Sequence, residues 1–209
     1  MILTFLLFFI IHTFLYSNVN SQTYCAMEDA LFSVGTYECP DGYTQVTRTK
    51  GQYCLKVVAD AGITVFDAVS ACQLENSTLA SIENSDEASL IYELSQIATT
   101  TLGYVWIGAS RLAACYGADY DDTAACTPLA TASFRWTDGF VTGTDGFVWY
   151  ATPDNTDSIE NCVGMSTGTT TGITATAATL DTIACDITTA ISYACGQPAT
   201  LVTCNCTSS

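Results

Sequence analysis

Eleven cysteines in 209 residues constrain this chain more than any other feature, because all of them lie beyond residue 24. The opening MILTFLLFFIIHTFLYSNVNS is apolar through Tyr16 and then polar, with small Val19 and Ser21 at the third-last and last places before Gln22. Residues 1–21 therefore read as a secretory signal peptide. Beyond it no stretch is apolar for the roughly 18 residues that a membrane helix needs. In the oxidising compartment that secretion implies, cysteines at this density pair as disulfides. The odd count leaves one unpaired or bonded to another chain, so a disulfide-linked dimer is one expected assembly.

Charge narrows the partners. Five Lys and Arg stand against 21 Asp and Glu, a formal net charge of -16. A phosphate backbone or an anionic membrane surface would be repelled, so nucleic acid is not an expected partner. The single histidine, His12, belongs to the signal peptide. The remaining chain has no imidazole for a Ser-His-Asp or Cys-His centre or for a His-ligated zinc site, and it is not expected to be an enzyme.

Residues 22–38 read as a short extension carrying Cys25, and 198–209 as a tail carrying Cys204 and Cys206, one of which could pair with Cys25. Between them, CPDGYTQVTRTKGQYCLKV gives two strand-like runs about a Thr-Lys-Gly turn, with Cys39 and Cys54 placed to tie the hairpin. In TVFDAVSACQLE, Val65, Ala68, Val69 and Cys72 recur at helical spacing behind Thr64 as N-cap, with Asp67 as an imperfect capping-box partner. NSDEASLIYELSQIA predicts a second helix capped by Ser85. Asp86 and Glu87 suit its positive end, and Ala88, Ile91, Leu94 and Ile97 or Ala98 face inward.

From residue 104 the pattern turns to short strands: YVWIGA, FRWTDGF ending in an Asp-Gly turn, and runs around NCVGM, in the Thr-rich GITATAATLDTIAC and in ISYACG. The Thr-rich stretch 166–179 fits an exposed hairpin. Cys115 and Cys126 bracket an acidic loop most simply closed by a local bridge. Trp106 and Trp136 sit in alternating apolar runs and are assigned to packing; Trp149 is assigned there too, although it directly precedes the candidate loop. Asn76-Ser-Thr and Asn205-Cys-Thr are N-glycosylation sequons.

Taken in order, Cys39-Pro-Asp-Gly-Tyr, Cys54, helical Cys72, Leu79-Ala-Ser-Ile82, Trp106-Ile-Gly108, Phe134-x-Trp136-x-Asp-Gly139, Trp149, Pro153-Asp154, Asn161-Cys162-Val163, Cys185 and Tyr193-x-Cys195 resemble a C-type lectin-like domain over residues 39–197. The resemblance implies an α+β fold with two helices, two small antiparallel sheets and a long irregular loop that carries the ligand site. It implies the bonds Cys72–Cys195 and Cys162–Cys185 together with Cys39–Cys54. In the chain-entropy model the longest such loop contributes about 4–5 kcal/mol and the shorter about 3.

In sugar-binding members of that family the loop reads Glu-Pro-Asn or Gln-Pro-Asp, a further Glu precedes the cysteine, and Trp-Asn-Asp lies before the next one. Here Thr152-Pro153-Asp154, Glu160 and Leu180-Asp181-Thr182 stand at those places. The ligand face implied is Thr152, Pro153, Asp154, Glu160, Asp181 and Thr182. Three carboxylates, Asp154, Glu160 and Asp181, remain as oxygen donors, and two positions have become threonine. Calcium takes six to eight oxygens and its affinity follows the number of charged ligands. A weakened calcium site and a solvated polar loop are both readings of this pattern. The leading expectation is a secreted protein that recognises an extracellular glycan or glycoprotein through the loop face; the alternative is a calcium-independent module for a protein ligand.

Overall fold

The computed structural model describes residues 35–116, 133–151, 159–169, 175–187 and 189–203. Residues 1–21, expected to be a signal peptide, and Cys25, Cys126, Cys204, Cys206 and Asn205 lie outside them. The chain divides into two compact units, Cys39–Ala199 and the two termini. In the terminal unit, β1 (Gly35–Glu38) pairs antiparallel with β10 (Thr200–Thr203), so that the extension and the tail meet as a two-stranded ribbon. Tyr37 faces its cross-strand partner Leu201, and both are about half exposed.

The larger unit contains β2 (Thr44–Arg48), β3 (Gly51–Ala59), α1 (Val65–Leu74), β4 (Thr78–Leu79), α2 (Ser85–Ala98), β5 (Tyr104–Arg111), β6 (Phe134–Trp136), β7 (Cys162–Ser166), β8 (Thr179–Ile183) and β9 (Ala190–Pro198). The expected Thr-Lys-Gly hairpin is β2–β3, with Arg48 opposite Gly51. The strands form one sheet in the order β2-β3-β9-β5-β7-β8, with β4 on β9 and β6 on β5. Where the resemblance implied two small sheets, a parallel β5–β9 pairing joins them into one path. The two α-helices among the described residues and this sheet make the α+β architecture expected.

Thr64 caps α1 as its sequence indicates: its hydroxyl accepts from the Asp67 amide at 3.2 Å and donates to the Asp67 carboxylate at 2.8 Å. For α2 the cap is Asn84, one residue earlier than expected, whose Oδ1 accepts from the Asp86 and Glu87 amides at 3.0 Å each. The inner face includes Ala88, Ile91 and Leu94 as expected, with two polar residues added and Ile97 turned outward. Glu87, Ala88, Ile91 and Ser95 are buried, Leu94 is half-buried, and Ile97 is 82 % exposed. An amide side chain outcompetes a serine hydroxyl for the free N–H groups here because it reaches two of them at once.

β5 explains why YVWIGA is apolar without interruption. Alternate side chains of a strand enter opposite faces. Tyr104 and Trp106 join the core under α1 with Val65, Ala68 and Ile183, whereas Val105 and Ile107 join the core under α2 with Ile91, Val163 and Leu180. Gly108 is obligatory on this strand, since a Cβ would collide with the Leu79 carbonyl oxygen. The Trp106 indole donates to the Ile63 carbonyl at 2.8 Å and the Trp136 indole to Gly143 at 2.9 Å. Trp149 is half-buried and stacks on Phe147 at 5.4 Å, which in turn stacks on Trp136 at 4.0 Å. Disulfides join Cys39 to Cys54, Cys72 to Cys195 and Cys162 to Cys185, with Cα separations of 5.6, 5.5 and 5.1 Å. Cys115 is also disulfide-bonded.

Candidate functional site

The implied ligand face is divided by the description. Thr152, Pro153 and Asp154 lie outside the described residues, while Glu160, Asp181 and Thr182 lie within them. Two anchors hold the ends of segment 152–158. On one side, Val148 and Tyr150 bond Leu180 through backbone groups at 2.7 and 2.9 Å, which fixes the Trp149 segment along β8. On the other, the buried Arg111 guanidinium donates from Nε to the Glu160 carbonyl at 3.0 Å and lies 4.7 Å over the Phe134 ring. Tyr150 and Ile159, flanking that segment, are 44 % and 53 % exposed.

β8 sends its polar side chains to opposite faces of the sheet. Leu180 enters the core under α2 and Ile183 the core under α1. By the same alternation Asp181 shares the face of Ile183, and Thr182 that of Leu180. Thr182 is buried, and its hydroxyl donates to Glu160 Oε2 at 3.4 Å. Asp181 receives the Tyr104 hydroxyl at 2.6 Å.

Tyr104 was not among the residues expected at this site. It lies on β5, 77 residues before Asp181, and its ring reaches β8 by crossing β7 where Gly164 stands directly opposite Asp181. A Cβ on Gly164 would sit 3.1 Å from Tyr104 Cδ1 and 2.6 Å from Ile183 Cδ1. Burial above all, then the bond to Asp181 and the negative charges of Asp181 and Glu160, push the Tyr104 hydroxyl well above its ordinary ionisation range. The only sequence signals for this arrangement were a tyrosine heading an apolar strand and a glycine inside Cys162-Val-Gly-Met.

A second polar cluster lies beneath α2. Arg48, with no side-chain exposure, makes a bidentate pair with Glu87 at 2.8 and 2.9 Å and donates to the Ser81 carbonyl at 2.8 Å. Asp138 accepts from the Tyr53 hydroxyl at 3.0 Å, from the Ser81 amide and hydroxyl, and from the Phe140 amide at 2.9 Å. Glu87 thus faces inward to a guanidinium as well as standing in the first turn of its helix. Asp138 is more than a turn residue: it ties β3, the β4–α2 connection and the turn after β6 together.

At the end of α1, Asn76 is exposed at φ 57°, beside Leu74, which is 87 % exposed. Among the described residues no three His, Cys, Asp or Glu side chains gather in a way that could hold a metal ion, and no helix is long and apolar enough to cross a membrane.

Residues 43–206 match the family model of C-type lectin domain-containing protein 141/158. A calcium-independent type II antifreeze protein is 25 % identical, with a TM-score of 0.53 over 79 % of this chain and 98 % of its own. The cow C-type carbohydrate-recognition domain of CD23, solved in the presence of a GlcNAc2Man3 oligosaccharide, shares the fold at 18 % identity, TM-score 0.53, over 79 % of this chain and 99 % of its own. So does the calcium-independent C-type lectin SPL-2 from Saxidomus purpuratus, at 17 % identity and TM-score 0.51 over 76 % and 93 %. No curated protein matches the chain.

Proposed function

The chain belongs to the family of C-type lectin domain-containing protein 141/158, and from that premise we propose that it is a secreted recognition protein that binds carbohydrate on the face formed by segment 152–160 and the end of β8. The observation that carries this reading is Glu160, at the end of that segment, whose carboxylate accepts from the Thr182 hydroxyl on β8. Carboxylates held in place by internal donors keep lone pairs for the hydroxyls of a sugar, and hydrogen bonds to a charged acceptor are the stronger kind. Tyr150, exposed and bonded through its backbone to Leu180 on β8, offers an apolar plate for the C–H face of a pyranose. Thr152, Pro153 and Asp154 complete the proposed contact set. The function requires no catalytic step.

A second reading, a protein ligand on the same face, draws on the exposure of Tyr150 and Ile159 at either end of the segment. Aromatic and aliphatic side chains of this kind form the centre of protein interfaces. A glycan array probed with the secreted protein separates the two: binding that Glu160→Gln weakens supports carbohydrate recognition, and silence across a broad array overturns it. Asn76, exposed and adjacent to Leu74, is the proposed acceptor of an N-linked glycan. A glycosidase-dependent mass change that Asn76→Gln abolishes is the expected result.

A further inference from the structure

We infer that Tyr104 is a positioning residue that holds the Asp181 carboxylate in place of a cation, so that this carboxylate takes up no calcium. Calcium is the ion that the family's sugar-binding members imply, and the donor set here does not suit it. A calcium site gathers six to eight oxygens around the ion. Of the five positions expected to supply side-chain oxygens, Thr152 and Thr182 carry no charge, and Thr182 is 2 % exposed with its hydroxyl directed to Glu160. Asp181 Oδ2 is already occupied by the Tyr104 hydroxyl at 2.6 Å. An ion binding that oxygen would displace a charge-assisted hydrogen bond and leave a buried phenol without a partner.

The arrangement is built into three adjacent strands rather than into a loop. Tyr104 is 6 % exposed on β5, its ring passes over Gly164 on β7, and it meets Asp181 in the middle of β8. Only a residue without a side chain leaves that passage open, since any Cβ at 164 presses on both Tyr104 and Ile183. Glu160 adds negative charge near the same hydroxyl. Asp181 is therefore met by a neutral donor, and the phenol keeps its proton far into the alkaline range.

The inference concerns how the face is held, and its test does not read sugar binding, so it stands or falls apart from glycan recognition. Wild-type, Tyr104→Phe and Asp181→Asn proteins are melted in millimolar calcium and in chelator, and each is titrated with alkali while tyrosinate absorbance is followed. The wild-type melting temperature is expected to be the same in both media. Tyr104→Phe is expected to melt lower in both and to lose one late-ionising tyrosine, while Tyr53 still ionises late. Asp181→Asn, which keeps an acceptor but removes the charge, is expected to let Tyr104 ionise at lower pH. A calcium-induced rise in the wild-type melting temperature that Asp181→Asn abolishes overturns the inference, as does a Tyr104, identified as the ionisation lost in Tyr104→Phe, that ionises as late in Asp181→Asn as in the wild type. The second variant keeps the test decisive if Tyr104→Phe does not fold.

Discussion

Glu87 and Asp138 beneath α2, and Glu160 before β7 and Asp181 on β8, are two carboxylate pairs in one domain that are held by different chemistry. The first pair shares the Arg48 guanidinium, bidentate to Glu87 and 3.9 Å from Asp138, with side-chain exposures of 0 % for the arginine, 7 % and 2 %. In the second pair Asp181 is met by a phenol and Glu160 by a threonine hydroxyl, and both residues keep part of their surface. Water withdrawn from a fully buried carboxylate must be replaced by a permanent positive charge or several donors. Asp181, only partly buried, is held by the neutral Tyr104 hydroxyl and keeps part of its surface. The first cluster holds the fold; the second is the one proposed to meet a ligand.

The largest effect should come from breaking the first cluster. Arg48→Met leaves two buried carboxylates without their cation and should cost about 3–5 kcal/mol in chemical denaturation. Gly164→Ala tests the second cluster by crowding: the added methyl meets Tyr104 and Ile183, and a loss of about 1–3 kcal/mol is expected. Tyr104→Phe removes only the donor and should cost about 1–2 kcal/mol. The same variant sharpens the pH profile. Folding raises the ionisation of both Tyr53 and Tyr104 above the ordinary value of 10.0. The folded state therefore retains protons that the unfolded state releases, and stability holds below about pH 10 and falls as pH climbs beyond it. Tyr104→Phe should make that alkaline fall shallower. The smallest effect belongs to the exposed Lys56–Glu75 pair at 2.8 Å, where Lys56→Ala should change stability by no more than about 0.5 kcal/mol.

Much of this fold was readable before the structure, because its signals are local or come in order along the chain. The hairpin turn, the Thr64 cap and the buried stripe of Val65, Ala68 and Cys72 follow from spacing alone. The three disulfides agree with the pairing that the family resemblance implied. The polar clusters were not readable in the same way. Arg48 and Glu87 are 39 residues apart, and Tyr104 and Asp181 are 77 apart. No periodicity connects such residues, and only the sheet order β5-β7-β8 brings the second pair together. Glu87 also misled for a physical reason: a first-turn glutamate satisfies the helix dipole whether it faces solvent or an arginine. At the candidate site, sequence placed Glu160, Asp181 and Thr182 by motif position. The alternation along β8, which sends Asp181 and Thr182 to opposite faces, emerged only with the strand register.

The central claim is that a phenol, not a metal ion, secures the acidic face. A crystal structure of the protein grown in millimolar calcium tests it most directly. The account predicts the Tyr104 hydroxyl within hydrogen-bonding distance of Asp181 and no ion at that carboxylate. Density for a calcium ion bonded to Asp181 and Glu160, with the tyrosine hydroxyl displaced, would contradict it.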